Sequence, residues 1–215
     1  MSPERFNGKS ELDRIRARPA EAHNAIPEDR ILDAARDSLL EHGMSRSTMA
    51  DIAKRAQVSR ATLYRRWDSV QSVIGALITR EWAAIADAGY ALGGAHARER
   101  VANAAVHITR EIRAHPVQRK IIETEPEFLL PYQISRLGTS VAYLLARVED
   151  AIRQGADDGS VRPGDPALQA RTVLLAGWSF TVSAPAVVGA ATGTGPEFDA
   201  LDAELRRLID RYLAP

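Results

Sequence analysis

Residues 48–67 have the sequence TMADIAKRAQVSRATLYRRW, which contains two short helical segments separated by a turn. Thr48 is followed three residues later by Asp51, and this spacing predicts a capping box at the start of a helix. Ser59 is a second favourable N-cap residue, and it predicts another helix over residues 60–67. The stretch therefore predicts a helix-turn-helix, a motif that many DNA-binding proteins use.

The second predicted helix has one apolar and one polar face. Leu63 and Trp67 lie four residues apart, so they share the face that packs inward. The opposite face presents Ala61, Thr62, Arg65 and Arg66, with Arg60 and Tyr64 at its flank. Small residues beside arginines allow close approach to base edges together with hydrogen bonds to guanine or phosphate. We therefore predict that this helix is the recognition helix.

A further helix precedes the motif and completes a three-helix unit. Pro27 is suited to a first helical turn, and Glu28 and Asp29 complement the helix dipole. An apolar stripe follows at helical spacing, and Gly43 predicts the end of the helix. The predicted DNA-binding domain covers residues 27–75 and is followed by a helical domain over residues 76–215.

The distribution of charge agrees with this division, although the net charge of the 215 residues is zero. Residues 44–68 hold six basic and two acidic side chains, whereas residues 81–215 hold 14 basic and 17 acidic ones. A basic segment on a mildly acidic domain favours local neutralisation of phosphates, although two solvated helix faces give the same pattern. Residues 1–26 form a basic arm, which is either a disordered tail or a segment that contacts DNA.

The rest of the chain predicts helices only, so the fold class is all-α. We predict helices over residues 69–90, 97–114, 117–124, 133–157, 165–189 and 197–213, separated by Gly and Pro. Residues 172–196 carry no charge, but Pro185 and Pro196 and a modest hydrophobicity favour a buried helix over a membrane span. With no secretion signal, we expect a cytoplasmic protein.

The helix-turn-helix region resembles the N-terminal domain of the tetracycline-repressor (TetR) family. The resemblance covers about residues 28–75 and rests on ILDAA at 31–35, EHG at 41–43, STMADIA at 47–53 and AQVSRATLYRRW at 56–67. It implies a sequence-specific transcriptional regulator, and it assigns roles to the matching residues. In the second helix, Arg60, Ala61 and Thr62 would face bases. Tyr64 and Arg66 would contact phosphates, and Arg65 would reach either bases or phosphates. Thr48 and Ser59 would direct backbone N–H groups at phosphates, and Ser69 would begin the linking helix.

The sequence departs from the family pattern at two places. Gln57 stands where the family usually has glycine, so the turn must form without the residue that adopts a left-handed backbone most easily. Val70 and Gln71 stand where a Lys-Glu pair is common, so one expected phosphate contact is missing.

The resemblance also implies a homodimeric repressor, formed through residues 165–189 and 197–213, and an effector cavity in the helical domain. Candidate effector contacts are Trp82, His107, Phe128, Tyr132, Tyr143 and Trp178, although ordinary core packing explains the same residues. Because few charged residues occupy inward positions, we expect a small apolar or amphipathic effector.

Catalytic and metal chemistry have little support in the sequence. The chain has no cysteine, its histidines are not paired at metal-ligand spacing, and it shows no catalytic or cofactor motif, so we expect no cofactor. Glu123, Glu125 and Glu127 alternate around Pro126 and predict a solvated turn. The alternatives to a specific regulator are a small helical enzyme and a helical adaptor with non-specific affinity for DNA.

Overall fold

The computed structural model describes residues 28–129, 131, 137–189 and 193–215. The predicted arm at 1–26, Pro27 and Tyr132 lie outside the described residues. Within the described residues the fold is all-helical, as predicted, and contains no strand.

The helices follow one another along the chain with short connections. They are α1 (Glu28–His42), α2 (Met49–Arg55), α3 (Arg60–Tyr64), α4 (Val70–Ala91), α5 (Ala97–Ala114), α6 (Pro116–Thr124), a 3-10 turn (Pro126–Phe128), α7 (Thr139–Asp157), α8 (Pro166–Val182), α9 (Ala184–Val188) and α10 (Pro196–Leu213). We call α1–α3 the head and α5–α10 the body, and α4 connects them. The predicted domain boundary at residue 75 falls inside α4 and stays a prediction.

One predicted helix is divided by a proline. Residues 165–189 form α8 and α9 instead of one helix, since Pro185 has no N–H to donate to the carbonyl of Thr181. Of the helix predicted over 133–157, residues 133–136 lie outside the described residues, and α7 begins at Thr139 with Gly138 in an extended conformation as its N-cap.

The acidic turn at 123–127 also differs from the prediction. Glu125 is buried, and its Oε1 accepts a hydrogen bond from the backbone N–H of Ser45 at 2.7 Å. The carboxylate therefore connects the end of α6 to the loop between α1 and α2. The partner lies 80 residues away along the chain, so the local pattern of the turn did not indicate it.

The hydrophobic core consists of two clusters. The first contains residues from the head, from α4 and from the near end of the body, including Leu39, Ile52, Leu63, Leu77 and Ile121. The second lies entirely within the body and includes Val101, Ile152, Val173, Leu205 and Ile209. The head is thus packed onto the body through α4 and α6 and does not hang from a flexible linker.

The uncharged stretch at 172–196 does not form a membrane span in the part of the chain that the structure describes. No described helix is long and apolar enough to cross a membrane. The described residues also contain no group of three or more His, Cys, Asp and Glu side chains placed to hold a metal ion.

Candidate nucleic-acid interface and body cavity

The helix-turn-helix is held in place by caps at the starts of its helices. The Thr48 hydroxyl accepts a hydrogen bond from the N–H of Asp51 at 3.1 Å and donates one to the Asp51 carboxylate. The carboxylate therefore bonds the capping hydroxyl, not the backbone N–H that a capping box uses. Ser59 caps α3 by accepting from the N–H of Thr62 at 3.0 Å. These bonds fix where both short helices begin.

Gln57 makes the turn between α2 and α3 in a left-handed conformation, with φ of 53°. The side chain of Arg30 supports this turn, because its Nη2 donates to the carbonyl of Ala56 at 2.9 Å and to Gln57 Oε1 at 3.2 Å. The family's usual glycine is therefore replaced by a strained glutamine and a supporting arginine from α1. The position of Arg30 in the sequence gave no sign of this role.

The outward face of α3 is open to solvent and carries unpaired positive charge. Leu63 is fully buried and holds the helix against the head, while Arg60, Ala61 and Arg65 are exposed and Tyr64 is 55% exposed. The side chains of Arg60 and Arg65 make no hydrogen bond or ion pair with any described residue. Such a face can donate to phosphates and base edges without first breaking an intramolecular contact.

Two predicted contact residues are already engaged in the head. Thr62 is half-buried, and its hydroxyl shares a 2.8 Å hydrogen bond with the hydroxyl of Ser59. Arg66 is half-buried beside Glu28 of α1, with its Nη1 3.7 Å from the Glu28 carboxylate. Arg66 therefore does not lie on the outward face as predicted, because α3 ends at Tyr64 and the helical wheel no longer applies beyond it.

The linking helix begins where the sequence predicted. The Ser69 hydroxyl accepts from the N–H of Ser72 at 3.2 Å, and the Ser72 hydroxyl accepts from the N–H of Ser69 at 3.1 Å. These hydroxyls also bond the carboxylate of Asp68 and hold its pKa below the usual value, with Ser72 contributing most. Ser69 is thus a structural N-cap.

A large cavity of about 1260 Å³ lies between α1, α4 and the body. Its described wall includes four of the predicted effector contacts: Trp82, Phe128, Tyr143 and Trp178. His107 is not in this wall. It packs against α4 at Gly89, where an added Cβ would lie 3.2 Å from its Cδ2.

The wall also contains residues that join the head to the rest of the chain. Asp29 of α1 and Arg80 of α4 both border the cavity. The Arg80 guanidinium lies 2.9 Å from the carboxylate of Asp33 and 3.4 Å from that of Asp29, so it binds α4 directly to α1. The cavity wall therefore includes residues of the head as well as of the body.

Known proteins share both the motif and the length of the chain. The family model for bacterial regulatory proteins of the tetR family matches residues 31–77. An uncharacterised HTH-type transcriptional regulator of Mycobacterium bovis is 32% identical over 184 residues, which cover 86% of this chain and 93% of the relative. The chain belongs to the TetR family of transcriptional regulators.

Solved structures of TetR-family regulators share the fold at low sequence identity. The repressor QsdR of R. erythropolis has a TM-score of 0.61 at 14% identity, covering 87% of this chain and 96% of its own. FadR of Bacillus subtilis, solved in complex with stearoyl-CoA, has a TM-score of 0.59 at 16% identity, covering 86% of this chain and 98% of its own. At these identities the likeness shows the fold alone.

The sequence did not point to three side chains at the head–body junction of this TetR-family protein. Arg80 and Glu125 bind the head from α4 and from the end of α6, and Gln118 lies in the cavity wall. Only Gln118 had a usable signal: it lies next to Val117 and three residues before Ile121, so a polar residue occupies the buried stripe of α6.

Proposed function

We propose that this regulator is a homodimeric repressor that binds two half-sites of a pseudo-palindromic operator and is released by a small-molecule effector. One observation carries the proposal: α3 is capped, anchored through Leu63, and exposes Arg60 and Arg65, which have no partner among the described residues. A helix of this kind fits the major groove, where arginines reach base edges and phosphates. In this proposal Arg60, Ala61 and Thr62 face bases, and Tyr64 and Arg65 contact phosphates or bases.

The dimer is supported by apolar side chains that the single chain leaves exposed. Leu168 and Leu175 are 58% and 68% exposed on α8, and Leu208 is 48% exposed on α10. Leu168 and Leu175 lie seven residues apart, so they share one face of the helix. The other face of α8 packs into the body through Ala170 and Val173. Burial of the exposed face against a second copy explains why α8 carries so little charge.

The effector is supported by the cavity and its connection to the head. Asp29 and Arg80 border the cavity and join α1 to α4, and Phe128 borders it three residues after Glu125, which binds the head at Ser45. A ligand that displaces these groups shifts the head relative to the body. In a dimer, such a shift changes the spacing of the two recognition helices and lowers operator affinity.

Footprinting on the DNA that flanks the gene tests the repressor proposal. We expect a protected two-fold site that persists against excess random DNA. Replacing Arg60 or Arg65 with alanine removes one contact from each half-site, at about 1–3 kcal/mol per contact, and should weaken binding by about 30-fold or more. Arg153→Ala on α7, also an exposed arginine but outside the head and the proposed dimer interface, is the control and should bind normally. Equal loss on random DNA would favour the adaptor with non-specific affinity.

The dimer is tested separately by sedimentation equilibrium. Leu175→Arg places a charge in the proposed interface and should give a folded monomer with weak operator binding. Leu92→Arg is the matched control, because Leu92 is 61% exposed at the C-cap of α4 and belongs to neither α8 nor α10. A Leu175→Arg protein that stays dimeric would place the interface elsewhere.

A further inference from the structure

Gln118 is a buried amide without a hydrogen-bond partner in the wall of the body cavity. It lies on α6 and is 2% exposed, and its Nε2 bonds none of the described residues. A buried donor that gives up water without gaining a partner is unfavourable, so such groups are rare in folded proteins. The position of this one, beside a large cavity, suggests that its partner is a molecule bound there.

A second buried glutamine shows that the fold satisfies such a group elsewhere. Gln169 on α8 is 3% exposed, and its Nε2 donates to the carbonyl of Arg162 at 3.1 Å. Gln169 is not in the described wall of the cavity. The two amides therefore have the same chemistry and the same burial, and differ in whether the protein itself supplies a partner.

The charged groups of the cavity wall already have partners of opposite sign. Among the described wall residues these are Glu28, which lies beside Arg66, and Asp29 and Arg80, which pair with each other at 3.4 Å. The phenol of Tyr143 donates to Asp87 at 3.0 Å. Among the described wall residues, the neutral amide of Gln118 is thus the buried group that lacks a partner, and each charged wall group already lies beside one of opposite sign.

We propose that the cavity takes an uncharged, mainly apolar molecule that carries a carbonyl or hydroxyl oxygen, and that Gln118 recognises this oxygen. The terminal torsion of a glutamine is soft, so the amide turns towards a ligand at little cost. The aromatic side chains of Trp82, Phe128 and Trp178 supply the apolar contact. This inference rests on the effector role proposed above and narrows the ligand from apolar or amphipathic to uncharged.

Unfolding in urea without any ligand provides the first test. Gln118→Leu removes an unpaired amide and should unfold at the same or a higher urea concentration than the parent protein. Gln169→Leu leaves the Arg162 carbonyl without its donor and should unfold at a clearly lower concentration. Equal destabilisation by both substitutions would mean that Gln118 already has a structural partner, and would overturn the inference.

Binding to the DNA-free protein provides the second test. Two of the three tryptophans, Trp82 and Trp178, border the cavity, so tryptophan fluorescence reports a bound molecule. The probes are methyl octanoate, which has an acceptor oxygen, propylbenzene, which has none, and octanoate, which is charged. We expect methyl octanoate to bind more tightly than octanoate. In Gln118→Leu the ratio of the affinity for methyl octanoate to the affinity for propylbenzene should fall by about three- to tenfold, which corresponds to the loss of one neutral hydrogen bond.

Each remaining outcome supports or contradicts the inference. An unchanged ratio of affinities in Gln118→Leu, tighter binding of octanoate, or no saturable signal from any probe would overturn it. Gln169→Leu should leave this ratio of affinities unchanged. Because no DNA is present, these results are independent of the repressor proposal. If methyl octanoate binds through Gln118 but does not release the operator, only the effector role fails.

Discussion

Contacts within the head and contacts within the body differ in how far apart their partners lie in the sequence. In the head, Ser59 and Thr48 each cap a helix by bonding a residue three positions away. In the body, Arg113 of α5 makes a bidentate ion pair with Asp202 of α10, with distances of 3.0 and 2.9 Å across 89 residues. The comparison teaches that the starts of the short helices in the head are specified locally, whereas the packing of α5 against α10 in the body depends on partners that meet only after folding.

The largest expected loss of stability comes from breaking the ion pair between Arg113 and Asp202. Arg113 and Asp202 are almost fully buried, and Arg113 also donates to the carbonyl of Gly193 at 2.8 Å. Asp202→Ala leaves the buried guanidinium without its counter-ion, and we expect it to lower the free energy of unfolding by about 3–5 kcal/mol. Urea denaturation followed by circular dichroism measures this loss.

A surface ion pair provides the control for this prediction. Arg206 of α10 and Glu99 of α5 also join these helices, at 3.2 Å, but both side chains are partly exposed. Arg206→Ala should cost less than about 1 kcal/mol, because water screens the pair. Similar losses for the two substitutions would show that burial does not set the strength of the α5–α10 contact.

A smaller loss of stability is expected from removing a helix cap in the head. Ser59→Ala removes the side-chain acceptor for the N–H of Thr62, and we expect a loss of about 1 kcal/mol in the free energy of unfolding. Ser183→Ala is the control, because Ser183 precedes α9 without making a side-chain cap. A loss as large as that of Asp202→Ala would mean that the head depends on more than local caps.

The sequence separation of the contacts also explains which features of the fold could be predicted from the sequence. The starts of α2, α3 and α4 were predicted correctly because Thr48, Ser59 and Ser69 act on residues three positions away. The end of α3 was predicted three residues too late, since nothing in the local pattern terminates the helix at Tyr64. Pro185 was visible in the sequence, but its effect on the helix over 165–189 was not anticipated.

The cavity was less predictable than the recognition helix. Aromatic residues such as Trp82 and Phe128 were identified by type, but His107, chosen on the same basis, packs against Gly89 instead. Wall residues come from α1, α4, α6, α7 and α8, so their assembly depends on the tertiary arrangement. The contacts of Glu125 and Arg80 with the head were missed for the same reason: their partners lie 80 and 47 residues away.

The smallest expected change in stability concerns the turn between α2 and α3, where a residue other than glycine adopts a left-handed backbone conformation. Gln57 has φ of 53°, a conformation that glycine adopts without the steric cost of a Cβ. Gln57→Gly relieves this cost, but it also loosens the unfolded chain and removes the acceptor for Arg30. We therefore expect a gain of at most about 1 kcal/mol in the free energy of unfolding.

Gln57→Ala separates the strain from the hydrogen bond. It also loses the acceptor, yet it keeps a Cβ in the left-handed conformation, so it should be about 1 kcal/mol less stable than Gln57→Gly. Arg30 retains its bond to the carbonyl of Ala56 in both variants. If urea denaturation instead showed Gln57→Ala to be more stable than Gln57→Gly by about 0.4–1 kcal/mol, the gain expected where alanine fits the backbone, the turn would carry no strain. The turn at Gln57 would then follow the same local preferences as the helix starts at Thr48 and Ser59.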